Sequence, residues 1–252
     1  IKMNASRDCL AATSLFRAWW VEPLVATVSF AVTINTFRVL EAKGEASRAA
    51  SDIFDLRRST RLLKAGAAYW LGIWLLGRVL PRADIDWSCP GGGAIADVIL
   101  GVWAYDFVFY WLHRAMHRAP KFGKWAKHST HHAPAKQLRA HHVLEHSVVD
   151  GSLQVLTNVL VQRYGVFGPK NWLARLLHNI IVTYLLTESH ADLDATSAWQ
   201  GVAAWAPSLL KGVIRHRRHH AHSGPSYQQF FGYLDDAFTP VAGDNWKAPA
   251  LK

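Results

Sequence analysis

The stretch HRAMHRAPKFGKWAKHSTHH (His113–His132) follows directly on the apolar run VILGVWAYDFVFYWL (Val98–Leu112). Read together they decide the fold. The apolar side begins at Ala94, so Ala94–Leu112 is a near-continuous hydrophobic segment of 19 residues. A bilayer core about 30 Å thick needs about 20 helical residues. The segment after it packs five histidines into twenty residues, among lysines and arginines. A membrane-length helix therefore runs straight into a polar, basic, histidine-rich knot.

The rest of the chain supports a membrane reading. Half of its 252 residues are hydrophobic, with 12 Trp and 11 Phe, and only 18% are charged, against about 25% in an average soluble protein. Further apolar runs are Trp19–Leu40 and Ala65–Leu80, and Val148–Phe167 with Trp172–Thr187 reads as a helical hairpin turned by Gly165, Gly168 and Pro169. Trp and Tyr at the edges of these runs fit interfacial belts. The expected fold is all-α: a polytopic integral membrane protein with a cytoplasmic, histidine-rich helical cap. Basic residues gather in segments 41–64, 113–139 and 211–218, whereas loop 81–93 has one Arg and two Asp. The positive-inside bias puts the three basic segments in the cytoplasm. Arg163 and Lys170, at the hairpin turn, count against this arrangement.

Composition also excludes. The net charge is +10, but there is no zinc-finger, RNP or helix-turn-helix signature and the basic residues flank apolar runs, so no nucleic acid is expected. Two cysteines, Cys9 and Cys89, are too few for a disulfide framework or a thiolate metal site. Gly91-Gly92-Gly93 lacks the phosphate-loop pattern.

All 14 histidines lie between His113 and His222. His113 and His117 are four apart, one above the other on a helix. His128, His131 and His132 form HxxHH, and His216, His219 and His220 repeat it. A single HxxxH is common on helix surfaces; three such boxes on one side of a membrane point to metal. Imidazole suits iron, zinc, copper and nickel. Eight clustered histidines exceed the four ligands of one tetrahedral zinc and suit two ions.

These boxes resemble the fatty acid hydroxylase / sterol desaturase superfamily of membrane enzymes. DFVFYWLHRAMH matches the family form D-x-x-x-Y-W-x-H-R-x-x-H at Asp106, Tyr110, Trp111, His113, Arg114 and His117. KHSTHH and RHRRHH are similar to its second and third boxes. The resemblance covers about residues 95–240, dividing the chain into N-terminal transmembrane helices with a basic loop (1–94), a hydroxylase-like domain (95–240) and a tail (241–252). It implies a non-haem di-iron centre that uses O₂ to hydroxylate or desaturate a lipid C–H bond, on an acyl chain or sterol. It also implies electrons from NAD(P)H through a cytochrome b5-like carrier or reductase, and a place in the endoplasmic reticulum if the source is eukaryotic. By the same resemblance His190, after the hairpin, joins the box histidines as a ligand. His142 and Glu145 are ligands or supports of ligands. Phe230-Phe231-Gly232 and Leu234–Thr239 echo the family's motifs after the third box imperfectly, which bears on the substrate pocket more than on the metal.

Asp106 lies two turns before His113, about 10 Å along the axis. That is too far to share a metal easily, so it is cast as a supporting or packing residue. Glu188 is placed to orient an imidazole N–H near His190. His141, His146, His178 and His222 are expected to be structural or solvated. Two rival readings stay open: a His-rich membrane protein that moves or stores a transition metal, and an inactive scaffolding member of the family.

Overall fold

A computed structural model describes residues 18–43, 56–79, 85–86, 91–132, 138–164, 170–191, 207–222 and 224–239. Cys9, Cys89, most of loop 81–93, residues 44–55 of the first basic segment and the tail after 239 lie outside the described residues. The helices are α1 (Val21–Lys43), α2 (Leu56–Val79), α3 (Gly93–Arg118), α4 (Pro120–Ala126), α5 (Ser129–His132), α6 (Val148–Tyr164), α7 (Trp172–Glu188), α8 (Pro207–Leu210), α9 (Gly212–His222) and α10 (Tyr233–Phe238), with a 3-10 turn at Ala140–Leu144. Among the described residues there is no strand, only one bridge between Asp86 and Asn171, so the all-α expectation stands.

α3 is the central strut. Its 26 residues span about 39 Å. Val98, Val102, Tyr105, Phe109 and His113 recur every three or four positions and are buried, the period of one helical face. The opposite face carries Ile95, Ile99, Trp103, Phe107 and Trp111 at steps of four, all exposed. A helix that is apolar on its exposed face as well as its buried one suits lipid rather than water. The core joins α3 to α1 through Ile34, to α7 through Val182, Leu185 and Leu186, and to the C-terminal segment through Val213 and Phe230. Arg175 on α7 grips Glu22 on α1 through two bonds of 2.7 and 2.8 Å. Trp70 on α2 donates to Thr27 on α1 at 3.0 Å.

Among the described residues, two helices, Val21–Glu41 and Gly93–Arg118, are long and apolar enough to cross a membrane. The expected hairpin is there, but α6 and α7 have 17 residues each, about 25 Å. Their contact is polar: Asn158 and Gln162 both donate to Asn179 Oδ1, at 3.0 and 2.8 Å.

The end of α3 is what builds the site. Ala119 alone separates Arg118, the end of α3, from Pro120, which starts α4, where a proline costs no helical bond. α4 folds back so closely that a Cβ on Gly123 would lie 2.2 Å from the Met116 carbonyl oxygen. Lys127, at φ 51° in the left-handed region, closes α4. That turn delivers His128 back beside His117.

Candidate metal centre

The nine histidines singled out in the sequence come together. The Nε2 or Nδ1 atoms of His113, His117, His132 and His219 lie within 4.8 Å of one another, and so do those of His131, His190, His216 and His220. His128 adjoins the first group, its Nε2 3.1 Å from that of His117 and 3.0 Å from that of His132. The groups touch: the His132 and His220 rings stack at 4.3 Å. α3, α5 and α9 supply eight of these residues or their immediate neighbours, and the end of α7 supplies His190.

The outward-facing nitrogens fix the tautomers. His113 Nδ1 donates to the Tyr227 carbonyl at 2.9 Å. His131 Nδ1 donates to the Glu145 carbonyl at 3.2 Å, and His190 Nδ1 to the Leu186 carbonyl at 2.7 Å. His219 Nδ1 donates to the Gly224 carbonyl. His128 Nδ1 meets the Asp150 carboxylate at 2.8 Å. A neutral imidazole carries one proton, so each of these five presents a bare Nε2 lone pair inward.

Those lone pairs face one another. His117 Nε2 has the Nε2 atoms of His113, His128 and His219 at 3.2, 3.1 and 3.1 Å. His117 has at most one proton there, so at least two of the three contacts are lone pair against lone pair. In the second group the bare Nε2 atoms of His190 and His131 meet at 3.2 Å. Extra protons are opposed: burial pulls the imidazoles of His190 and His219 down to about 4 and holds His131, His216 and His220 well below the ordinary value. Converging neutral nitrogens that resist protonation form a donor set for cations, and the set fits two metal ions.

Asp106 is buried and does not reach the groups. It accepts from the backbone N–H of Gln229, Phe230 and Phe231 and from Gln228 Nε2, at 2.8–3.1 Å. Asp235 accepts from Ser226, Tyr227 N–H and Gln228 N–H. The two carboxylates thus clamp segment 226–231, which holds the Tyr227 carbonyl against His113. His142 joins neither group. Its Nδ1 accepts from the Arg139 N–H at 2.9 Å, which puts its proton on Nε2; its ring lies with His141 and Glu145 in a separate cluster. Glu145 instead supports His131 through its backbone carbonyl. Glu188 is fully buried, two residues before His190, and its carbonyl accepts from Arg217 at 3.4 Å. His178 lies away from the groups, its Nε2 donating to Asn158 Oδ1 at 2.9 Å. His146 lies behind His131, the rings 6.1 Å apart; the His222 side chain is outside the described residues.

Asp150 and Tyr227 did not stand out in the sequence, and Asp235 did so only within the imperfect echo at Leu234–Thr239. Asp150 comes 22 positions after His128 on another helix, and Tyr227 acts through its backbone, so neither leaves a spacing to read.

A model of the fatty acid hydroxylase family matches residues 98–239. The chain is 24% identical over 177 residues to the very-long-chain aldehyde decarbonylase GL1-5 of Oryza sativa subsp. indica. That match covers 69% of this chain and 26% of the relative, so the chain spans about a quarter of the relative's length. No solved structure matches significantly. The family match extends from near the start of α3 through α10 and takes in every histidine of both groups: the chain belongs to the fatty acid hydroxylase family.

Proposed function

We propose that this chain is a membrane-bound lipid oxidoreductase that uses two iron ions and O₂ to hydroxylate or desaturate a C–H bond of an acyl chain or sterol. The observation that carries the reading is the pair of histidine groups, with bare Nε2 atoms converging, at the end of an apolar helix of membrane-spanning length. Iron bound there supplies O₂ reduction and the removal of hydrogen from an unactivated C–H bond. His113, His117, His128, His132 and His219 hold one ion; His131, His190, His216 and His220 hold the other. Burial opposes protonation of His131, His190, His216, His219 and His220 and keeps them available as ligands. Tyr227, Glu145, Leu186 and Gly224, through their carbonyls, and Asp150, through its carboxylate, fix the rings so that binding needs little rearrangement. The apolar outer face of α3 leads along the bilayer to this end, a route for a substrate that arrives laterally.

In this reading α1 and α3 cross the bilayer, the short α6–α7 hairpin completes a polytopic bundle, and the histidine end faces the cytoplasm. Electrons come from NAD(P)H through an external carrier, and the positive charge near the groups (Arg114, Arg118, Lys121, Lys124, Lys127) favours an acidic one. A second reading, in which the lipid is a long-chain aldehyde, is favoured by the likeness to the rice decarbonylase.

The test is lipid profiling of cells with and without the protein, alongside His219→Ala. A hydroxylated or desaturated lipid that disappears with either change supports the first reading; an aldehyde consumed and shortened by one carbon supports the second. An unchanged profile, or a purified protein with no bound transition metal, refutes both.

A further inference from the structure

Four of the five tautomer-fixing partners are neutral backbone carbonyls; the fifth is the Asp150 carboxylate. Asp150 is completely buried at the start of α6. Its Oδ2 lies 2.8 Å from His128 Nδ1, and its Oδ1 accepts from Gln154 Nε2 at 3.1 Å. Its backbone N–H donates to Ser147 Oγ at 3.0 Å, and Ser147 Oγ donates in turn to the Ala126 carbonyl. The carboxylate is therefore held from the α4 side and the α6 side at once, with one oxygen left for His128. The ring of His146 completes the wall, fitted against Gly151 so tightly that a Cβ there would lie 2.4 Å from it.

We propose that Asp150 is a positioning residue which, through His128, sets the cation affinity of the first histidine group and not of the second. This rests on the proposed metal-binding reading. A carboxylate accepting from a ligand imidazole makes the other nitrogen more basic and stops the ring from turning. A backbone carbonyl gives the orientation but not the full negative charge. Nine neutral imidazoles bring no charge to offset that of two cations, so the Asp150 carboxylate matters most to the ion nearest His128. The second group, in which His131 and His190 donate to backbone carbonyls, serves as an internal control.

The experiment uses the full-length protein in detergent, loaded with iron or cobalt and titrated with a chelator, with metal counted per chain. Asp150→Asn keeps the shape, leaving a neutral acceptor for His128. It should release one of the two ions at roughly 10–100-fold lower chelator concentration, with the other ion and the helical circular dichroism unchanged. Cobalt absorption should change for one site only. His128→Ala should weaken the same ion, and adding Asp150→Asn to it should do nothing further, because Asp150 acts through that ring. Gln154→Ala, which frees only Oδ1, should have little effect. Two ions retained at wild-type affinity in Asp150→Asn would overturn the proposal. So would additive losses in the double variant, or loss of both ions together with helicity, which would make Asp150 a folding residue. A wild-type chain that binds no metal would instead refute the metal-binding reading itself.

Discussion

His131 and His132 are consecutive in the chain, yet they turn to different histidine groups. Neighbouring residues on a helix point about 100° apart, so one HxxHH box reaches two sites at once. α9 does the same: His216 and His220, one turn apart, face the second group, while His219 faces the first. Each HxxHH box thus bridges the two groups, whereas His113 and His117 both serve the first.

This division predicts separable defects. His132→Ala should lower the metal content by the ion of the first group, and His131→Ala by that of the second. Metal analysis of the purified variants checks this; loss of both ions from each single variant would mean that the groups form one indivisible site.

Eight of the nine histidines were legible in the sequence because helical spacing is local: residues three and four apart share a face wherever the helix sits. His190 has no such spacing and was named from the family resemblance alone. How the boxes divide between groups was not, because that depends on how α3, α5 and α9 approach one another. Helix positions were legible within a few residues for α1, α6 and α7, but α2 begins nine residues before the expected run, and α3 runs on past His113 to Arg118, which places the first box inside the long helix. Asp106, two turns before His113, bonds to the segment that follows the third box. Its partners, the N–H groups of 229–231, lie more than 120 positions away and could not be read at all.

Asp106→Asn should loosen the segment that holds Tyr227. A carboxylate can serve four donors, whereas an amide offers one oxygen and turns an NH₂ toward N–H groups. Leaving even one buried donor unsatisfied costs about 1–3 kcal/mol. Denaturation of the detergent-solubilised protein should show a loss of that order. Metal loss should be greater from the first group, since His113 depends on the Tyr227 carbonyl. Wild-type stability would mean that the clamp on segment 226–231 is dispensable.

Metal-free protein should lose stability as pH falls. In the folded chain burial lowers the imidazoles of His190 and His219 to about 4, whereas unfolded histidines titrate near 6.5. Above pH about 7 both states are neutral and these groups contribute no pH dependence. Between about 6.5 and 4 the unfolded chain binds protons that the folded chain does not, so unfolding becomes easier with each step down. Below about 4 their contribution levels off. Melting temperatures of the metal-free protein from pH 8 to 4 test this, and a flat profile would mean that these rings are not buried. Bound metal should raise the whole curve, because it stabilises only the folded state, and should extend the loss to pH below about 4, because protons then compete with the metal for the same nitrogens.

Gly212→Ala separates two opposing effects. Gly212 opens α9, and alanine there improves helix propensity by up to about 1 kcal/mol. The added Cβ, however, would lie 2.0 Å from the Phe231 carbonyl oxygen and 2.4 Å from Phe230 C and Phe231 N. These are backbone atoms, and Asp106 pins the N–H groups of both residues, so the segment has little freedom to withdraw. Overpacking of this kind costs about 1–3 kcal/mol, which outweighs the gain in propensity. The strain falls on α9, whose three box histidines serve both groups. Gly212→Ala should therefore destabilise the protein and weaken both ions together, unlike His131→Ala or His132→Ala. A more stable variant with full metal content would show that α9 can shift without disturbing the site.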